Sequence, residues 1–114
     1  MKAKYKIKSL PAEDRPREKL LLQGPEAMTN AELLAILLGS GTHSTPVLKI
    51  CREVLHYAGN DLEQLSHLSI DELCLLPGIG LAKAAIIQAA LELGLRNIKR
   101  AIILIAKDKA VPPE

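Results

Sequence analysis

Leu73-Cys74-Leu75-Leu76-Pro77-Gly78-Ile79-Gly80-Leu81-Ala82-Lys83-Ala84-Ala85-Ile86-Ile87 decides the fold. The spacing predicts a short helix, a tight Gly-Ile-Gly turn and a second helix that starts near Leu81. Two residues without Cβ let the backbone reverse sharply and lie bare at the surface. The helix that follows adds its unpaired first N–H groups and the positive end of its dipole. Lys83 brings a full charge to the same first turn. Such a cradle suits a phosphate and contains no catalytic group.

Working outward, the same plan occurs twice. Thr29-Asn30-Ala31-Glu32 and Ser69-Ile70-Asp71-Glu72 are both capping boxes, each opening a helix. Each helix closes on a Gly-x-Gly turn, and the glycine pairs Gly39/Gly41 and Gly78/Gly80 are offset by 39 positions. The segment around each turn resembles the helix-hairpin-helix motif, which grips DNA backbone without reading sequence. The expected fold is all-α: a tandem helix-hairpin-helix of five or six short helices about a pseudo-twofold, with an N-terminal arm and a C-terminal tail. The first copy is degenerate, with Ser40 at the apolar turn position and Thr45-Pro46 delaying its second helix.

The rest of the chain fits that frame. Residues 1–10 alternate Lys with other residues and read as a flexible arm. Residues 11–100 form the domain, and 101–114 read as a tail or linker. Pro16 suits the first turn of a helix to about Gln23, ended by Gly24-Pro25. In the helix after Thr29, Leu33, Leu34, Ile36, Leu37 and Leu38 are expected to point mostly inward. Thr45 is expected to cap a helix with Pro46 first in it, carrying Val47, Leu48, Cys51, Val54, Leu55 and Ala58 inward. A short helix follows from Asp61 to about Leu65. The helix from Leu81 is expected to fade by Leu95-Arg96. The apolar run Ala101–Ala106 is open between continued helix, an isolated strand and a contact for a partner.

Composition narrows the function. The chain has 114 residues, no Trp or Phe and two Tyr, so its core is Leu, Ile and Ala. Scarce aromatics weaken a single-strand reading, because such platforms stack bases on rings. Net charge is +2, yet residues 1–19 hold seven Lys/Arg against three Asp/Glu, and 81–114 hold six against three. Residues 20–80 reverse this, with two against seven. The basic ends suit a polyanion, although charged runs are often only solvated. Cys51 and Cys74 have no CxxC spacing and suit small core positions, which points to a reducing, cytoplasmic setting. No apolar run has the length of a membrane span, and no membrane partner is expected.

Arg15-Pro16-Arg17-Glu18-Lys19-Leu20-Leu21 and the run Gly24-Pro25-Glu26-Ala27-Met28-Thr29-Asn30-Ala31-Glu32-Leu33-Leu34-Ala35-Ile36-Leu37-Leu38-Gly39-Ser40-Gly41-Thr42 resemble the N-terminal domain of the bacterial RadC family (UPF0758). The turn at Ile79 and Ala89-Ala90-Leu91-Glu92-Leu93-Gly94 extend the likeness over roughly residues 7–96. The resemblance implies an association with DNA repair and a larger C-terminal domain similar to zinc-dependent JAB1/MPN metalloproteases. The His-x-His metal site of that domain has no counterpart here, so the resemblance implies no enzyme in this chain. Where many members carry Arg-Thr before Gly-Thr, this chain has Gly39-Ser40, which removes one charge from the first turn.

The candidate nucleic-acid contacts are therefore Gly78, Ile79, Gly80, Ala82 and Lys83 at the second turn and Gly39, Ser40, Gly41, Thr42 and His43 at the first. Arg15 and Arg17 extend the basic face. For the glycines, the competing reading is a turn that only shapes the fold. His43, His56 and His67 lack paired spacing, so no metal and no cofactor are expected. Acids at Asp61, Glu63, Asp71 and Glu72 belong to helix N-termini. No helix presents an array for base readout, so backbone contact without sequence preference is expected. The rival reading is a scaffold that holds the C-terminal metalloprotease-like domain or another protein. Oligomeric state is not legible.

Overall fold

In a computed structural model, residues 15–109 are described, and all secondary structure among them is helical. The expected arm at 1–10 and the end of the expected linker, 110–114, lie outside the described residues. The helices are α1 (Arg15–Gln23), α2 (Asn30–Leu38), α3 (Val47–Tyr57), α4 (Leu62–Ser66), α5 (Ile70–Cys74) and α6 (Leu81–Lys109), with a 3-10 turn at Pro25–Ala27.

Both capping boxes form. Thr29 Oγ1 accepts from Glu32 N at 3.1 Å while Glu32 Oε1 accepts from Thr29 N at 2.9 Å. Ser69 and Glu72 repeat the exchange at 3.0 and 3.1 Å. Glu32 also takes the Lys19 ammonium, at 2.9 and 3.2 Å, and so ties α1 to α2. These two hydrogen bonds, the Thr29 amide first and Lys19 second, hold the Glu32 carboxyl below the usual carboxylate range.

The core lies between α2, α3 and the first half of α6. Val47, Ile50, Cys51 and Val54 of α3 meet Leu34, Ala35 and Leu38 of α2, with Leu65, Leu73, Ile79, Ala84 and Ile87 closing it. Two expectations need correction here. Leu33 and Leu37 stay exposed, bordering a groove with Leu62, Ala90 and Leu91, because the buried stripe of α2 is the one that Leu34, Ala35 and Leu38 turn to α3. Pro46, not Thr45, is the N-cap of α3, and no side chain caps that helix. The Thr45 N–H instead donates to Thr42 Oγ1 at 3.1 Å within the loop.

α6 also differs from expectation. It does not fade near Leu95 but runs to Lys109, so residues 101–106 are helical. Gly94 costs only about 1 kcal/mol of helix propensity, too little to stop a chain of Leu, Ile, Ala, Lys and Arg on both sides. At 1.5 Å per residue α6 is about 43 Å long and outruns the body it packs on. The radius of gyration, 17.5 Å, shows it. A compact domain of this size would have about 12 Å.

Candidate nucleic-acid interface

The second turn is built from three local decisions. Leu76 C=O accepts from Ile79 N at 3.1 Å across Pro77 and Gly78. Pro at the second position and Gly at φ 83° in the third are the requirements of a type II turn. Ile79 then drops into the core, 4% exposed. It anchors the turn rather than meeting a ligand. Gly80 follows at the surface, and its C=O accepts from Ala84 N at 2.9 Å to start α6. Among the described residues, the N–H groups of Gly80, Leu81, Ala82 and Lys83 have no backbone acceptor.

The two glycines are there for different reasons. A Cβ on Gly78 would stand 2.6 Å from Ile50 Cδ1, in a left-handed backbone that already disfavours side chains. A Cβ on Gly80 would meet nothing within 4 Å, at an ordinary φ. Folding alone explains Gly78. It does not explain Gly80, whose exposed backbone sits beside the free amides. Leu75 and Leu81, 81% and 72% exposed, rim the turn.

Lys83 is half-buried and its charge is felt at Cys51 on α3. Burial pushes the Cys51 thiol up to about 12, with Lys83 pulling the other way. The cysteine is fully buried, so the Lys83 charge on the first turn of α6 acts across the packing of α6 on α3.

The first turn matches the second at its first glycine, Gly39, with φ 80°. It departs afterwards. A Cβ on Gly41 would collide with Thr45 O, Val47 N and the Pro46 carbonyl carbon. Thr42 N also donates to Thr45 O at 3.0 Å. The loop thus folds over the start of α3, and Gly41 is used for that close approach. Ser40, Thr42 and His43 remain exposed. Arg15 lines a groove with Lys19, Glu32, Pro46, Val47 and Leu48, which places it beside the start of α3. Arg17 is exposed on the same short helix. Arg96 is held by Glu92 at 2.9 Å on the projecting part of α6.

Sequence reasoning missed the outer face of α3. Lys49, Arg52 and His56 share a shallow groove with Glu53, Tyr57 and Leu76, so this face of α3 reaches the first residue of the second turn. Their spacing of three and four residues on one helix was the available signal. No group of His, Cys, Asp or Glu among the described residues comes together in a way that could hold a metal ion. No helix among them is long and apolar enough to cross a membrane.

The family model described as UPF0758 N-terminal matches residues 7–85, which include α1 to α5, both turns and the first turn of α6. The chain belongs to the UPF0758 family. It is 49% identical over 109 residues to a UPF0758 protein of Moorella thermoacetica, covering 91% of this chain and 47% of that protein. It is 47% identical over 90 residues to one of Alkaliphilus metalliredigens, covering 79% of this chain and 39% of that protein. A UPF0758 protein of Chloroflexus aurantiacus is 46% identical over 97 residues, with 85% and 42% covered. The chain thus spans less than half the length of these UPF0758 relatives. No solved structure matches it.

Proposed function

We propose that this UPF0758 domain is a non-catalytic grip on the phosphate backbone of DNA, working as a helix-hairpin-helix at its second turn. Gly80 carries the reading. It is a glycine with neither a φ nor a packing requirement, exposed beside four unpaired amides at the head of a 29-residue helix. Bare backbone at that place admits a phosphate oxygen to the amides. Lys83 supplies charge in the first turn of α6, and Lys49 and Arg52 flank the turn from α3. The first turn is the weaker partner, contributing through Ser40, Thr42, His43 and the nearby Arg15 and Arg17. A tether of this kind serves a cytoplasmic, RadC-like repair protein by raising the local concentration of its other domain on DNA.

With a few phosphates neutralised, affinity falls in the non-specific range of about 10⁻⁴–10⁻⁶ M and drops steeply with salt. The test is an NMR titration of labelled domain with a short duplex and a three-way junction at two salt concentrations. Shifts centred on Gly78–Lys83, weakened by salt and lost in Lys83→Glu, are the expected result. No shifts at millimolar DNA would end the reading for the domain alone.

One observation favours a second reading, a scaffold that positions or regulates a metalloprotease-like domain. Leu75 and Leu81 make the rim of the turn apolar, as a protein contact would need. Shifts at these two leucines with a protein partner and none with DNA would decide for it.

A further inference from the structure

The stripe that seats α6 on its own body does not stop where the body stops. Ala84 and Ile87 are fully buried, Leu91 is half-buried, and the same face continues as Leu95, Ile98, Ile102 and Ile105. These last four are 43, 56, 59 and 55% exposed. At 3.6 residues per turn all seven fall within a sector of about 80°. Every residue from Glu92 to Asp108 is exposed; Leu95 still borders a groove with Ser66, His67 and Ile70, and beyond it nothing among the described residues covers the stripe. Exposed apolar residues scattered singly need no explanation, whereas a continuous row does.

We propose that a second copy of this chain covers it, the two α6 stripes packing antiparallel about a twofold axis. From Leu91 the steps are four, three, four and three residues, the alternation of a helix-on-helix seam. Among the described residues, α6 is the one helix long enough to present a matching row. Sterics choose the orientation. The body occupies this very face from Ala84 to Leu91, so a parallel partner would have to lie where the body is. Antiparallel copies put their bodies at opposite ends and overlap only the bare halves. Leu95 then faces the partner's Ile105, and Ile98 faces the partner's Ile102.

The area sets the strength. Four seam residues per copy and their neighbours bury on the order of 1,000 Å² in total, at the low end for a specific interface. An interface of this size belongs with reversible rather than obligate dimers. Lys99 flanks the axis and approaches its own counterpart, so added salt strengthens the dimer by screening like charges. DNA binding has the opposite salt dependence, and the two properties fail independently.

The experiment is sedimentation equilibrium of the chain from low micromolar to millimolar concentration. The mass is expected to rise from 12.4 kDa toward a dimer, more steeply at high salt. Ile98→Lys with Ile102→Lys should stay monomeric with unchanged helicity and thermal midpoint, since both positions lie beyond the body. In a Cys74→Ser background, Leu95→Cys mixed with Ile105→Cys should give a mixed disulfide several-fold in excess of either self-disulfide. A monomer at millimolar chain overturns the proposal and leaves the stripe to a different polypeptide. So does a dimer that survives the double lysine variant. Predominant self-disulfides overturn the antiparallel arrangement.

Discussion

Gly78 rests so close on Ile50 that a Cβ would come within 2.6 Å of the Ile50 Cδ1, while two residues on Gly80 has open space. The two glycines of one turn should therefore separate stability from binding. Gly78→Ala forces a side chain into a left-handed backbone against a fully buried neighbour and is expected to cost about 1–3 kcal/mol. Gly80→Ala should leave the urea midpoint within about 0.5 kcal/mol of the parent. It should still weaken DNA binding several-fold, because the new methyl takes up the open space through which a phosphate would approach the turn. Chemical denaturation and a fluorescence-anisotropy titration on both variants check this. Equal loss of binding and stability in Gly80→Ala would make it a folding glycine after all.

Glu32 caps α2 and ties it to α1 through one carboxylate, and its protonation should be felt in acid. The Thr29 amide and the Lys19 ammonium hold its folded-state pKa below the unfolded value. Its contribution is thus fully present above the unfolded pKa, near 4.3, and is lost as pH falls through the lower folded value. A surface pair with a cap is worth about 1 kcal/mol. Glu32→Gln should lower stability at pH 7 by about that amount and by much less at pH 2. Urea midpoints at the two pH values measure the difference.

Local chemistry made most of the fold legible. Both capping boxes, the Gly24 stop and the two glycine turns are encoded in residues that act within four positions of themselves. What escaped depended on distance or on length. Pro46 capped α3 in place of Thr45 because the Thr45 carbonyl, which an N-cap offers to the helix, accepts from Thr42 N within the loop and Pro46 C=O takes Ile50 N instead. Leu33 and Leu37 stay exposed because periodicity cannot tell which stripe of an apolar helix is the one that gets buried. The end of α6 was misread because Gly94 is a weak signal inside a strong helix. At the candidate site, the turn was legible from Gly78 to Lys83. Lys49, Arg52 and His56 were not tied to it, because only the packing of Ile50 on Gly78 brings α3 alongside.

Cys51 and Cys74 should behave as different thiols. Cys51 is fully buried and its pKa is about 12, so little thiolate exists at neutral pH and none is accessible. Cys74 is partly exposed. A disulfide reagent at pH 8 should label one thiol per chain quickly. The second should appear only at the rate of global opening, and at once in denaturant. Cys74→Ser should abolish the fast phase and leave the slow one. Fast labelling of Cys51 in the folded protein would mean that α3 opens away from α6 without unfolding.

Lys49 and Arg52 should count as phosphate contacts if the grip extends from the turn onto α3. Each side chain that neutralises one phosphate adds about 0.9 to the slope of log affinity against log salt, so the slope is a count. Lys49→Ala with Arg52→Ala should lower the slope by about 2 and weaken binding to all duplex sequences alike. Neither residue is buried, so stability should change by less than about 0.5 kcal/mol. Arg96→Ala serves as the contrast. Its guanidinium is committed to Glu92 on the projecting half of α6, and the slope should not move. An equal drop in slope for Arg96→Ala would place DNA along α6 rather than across the turn and α3.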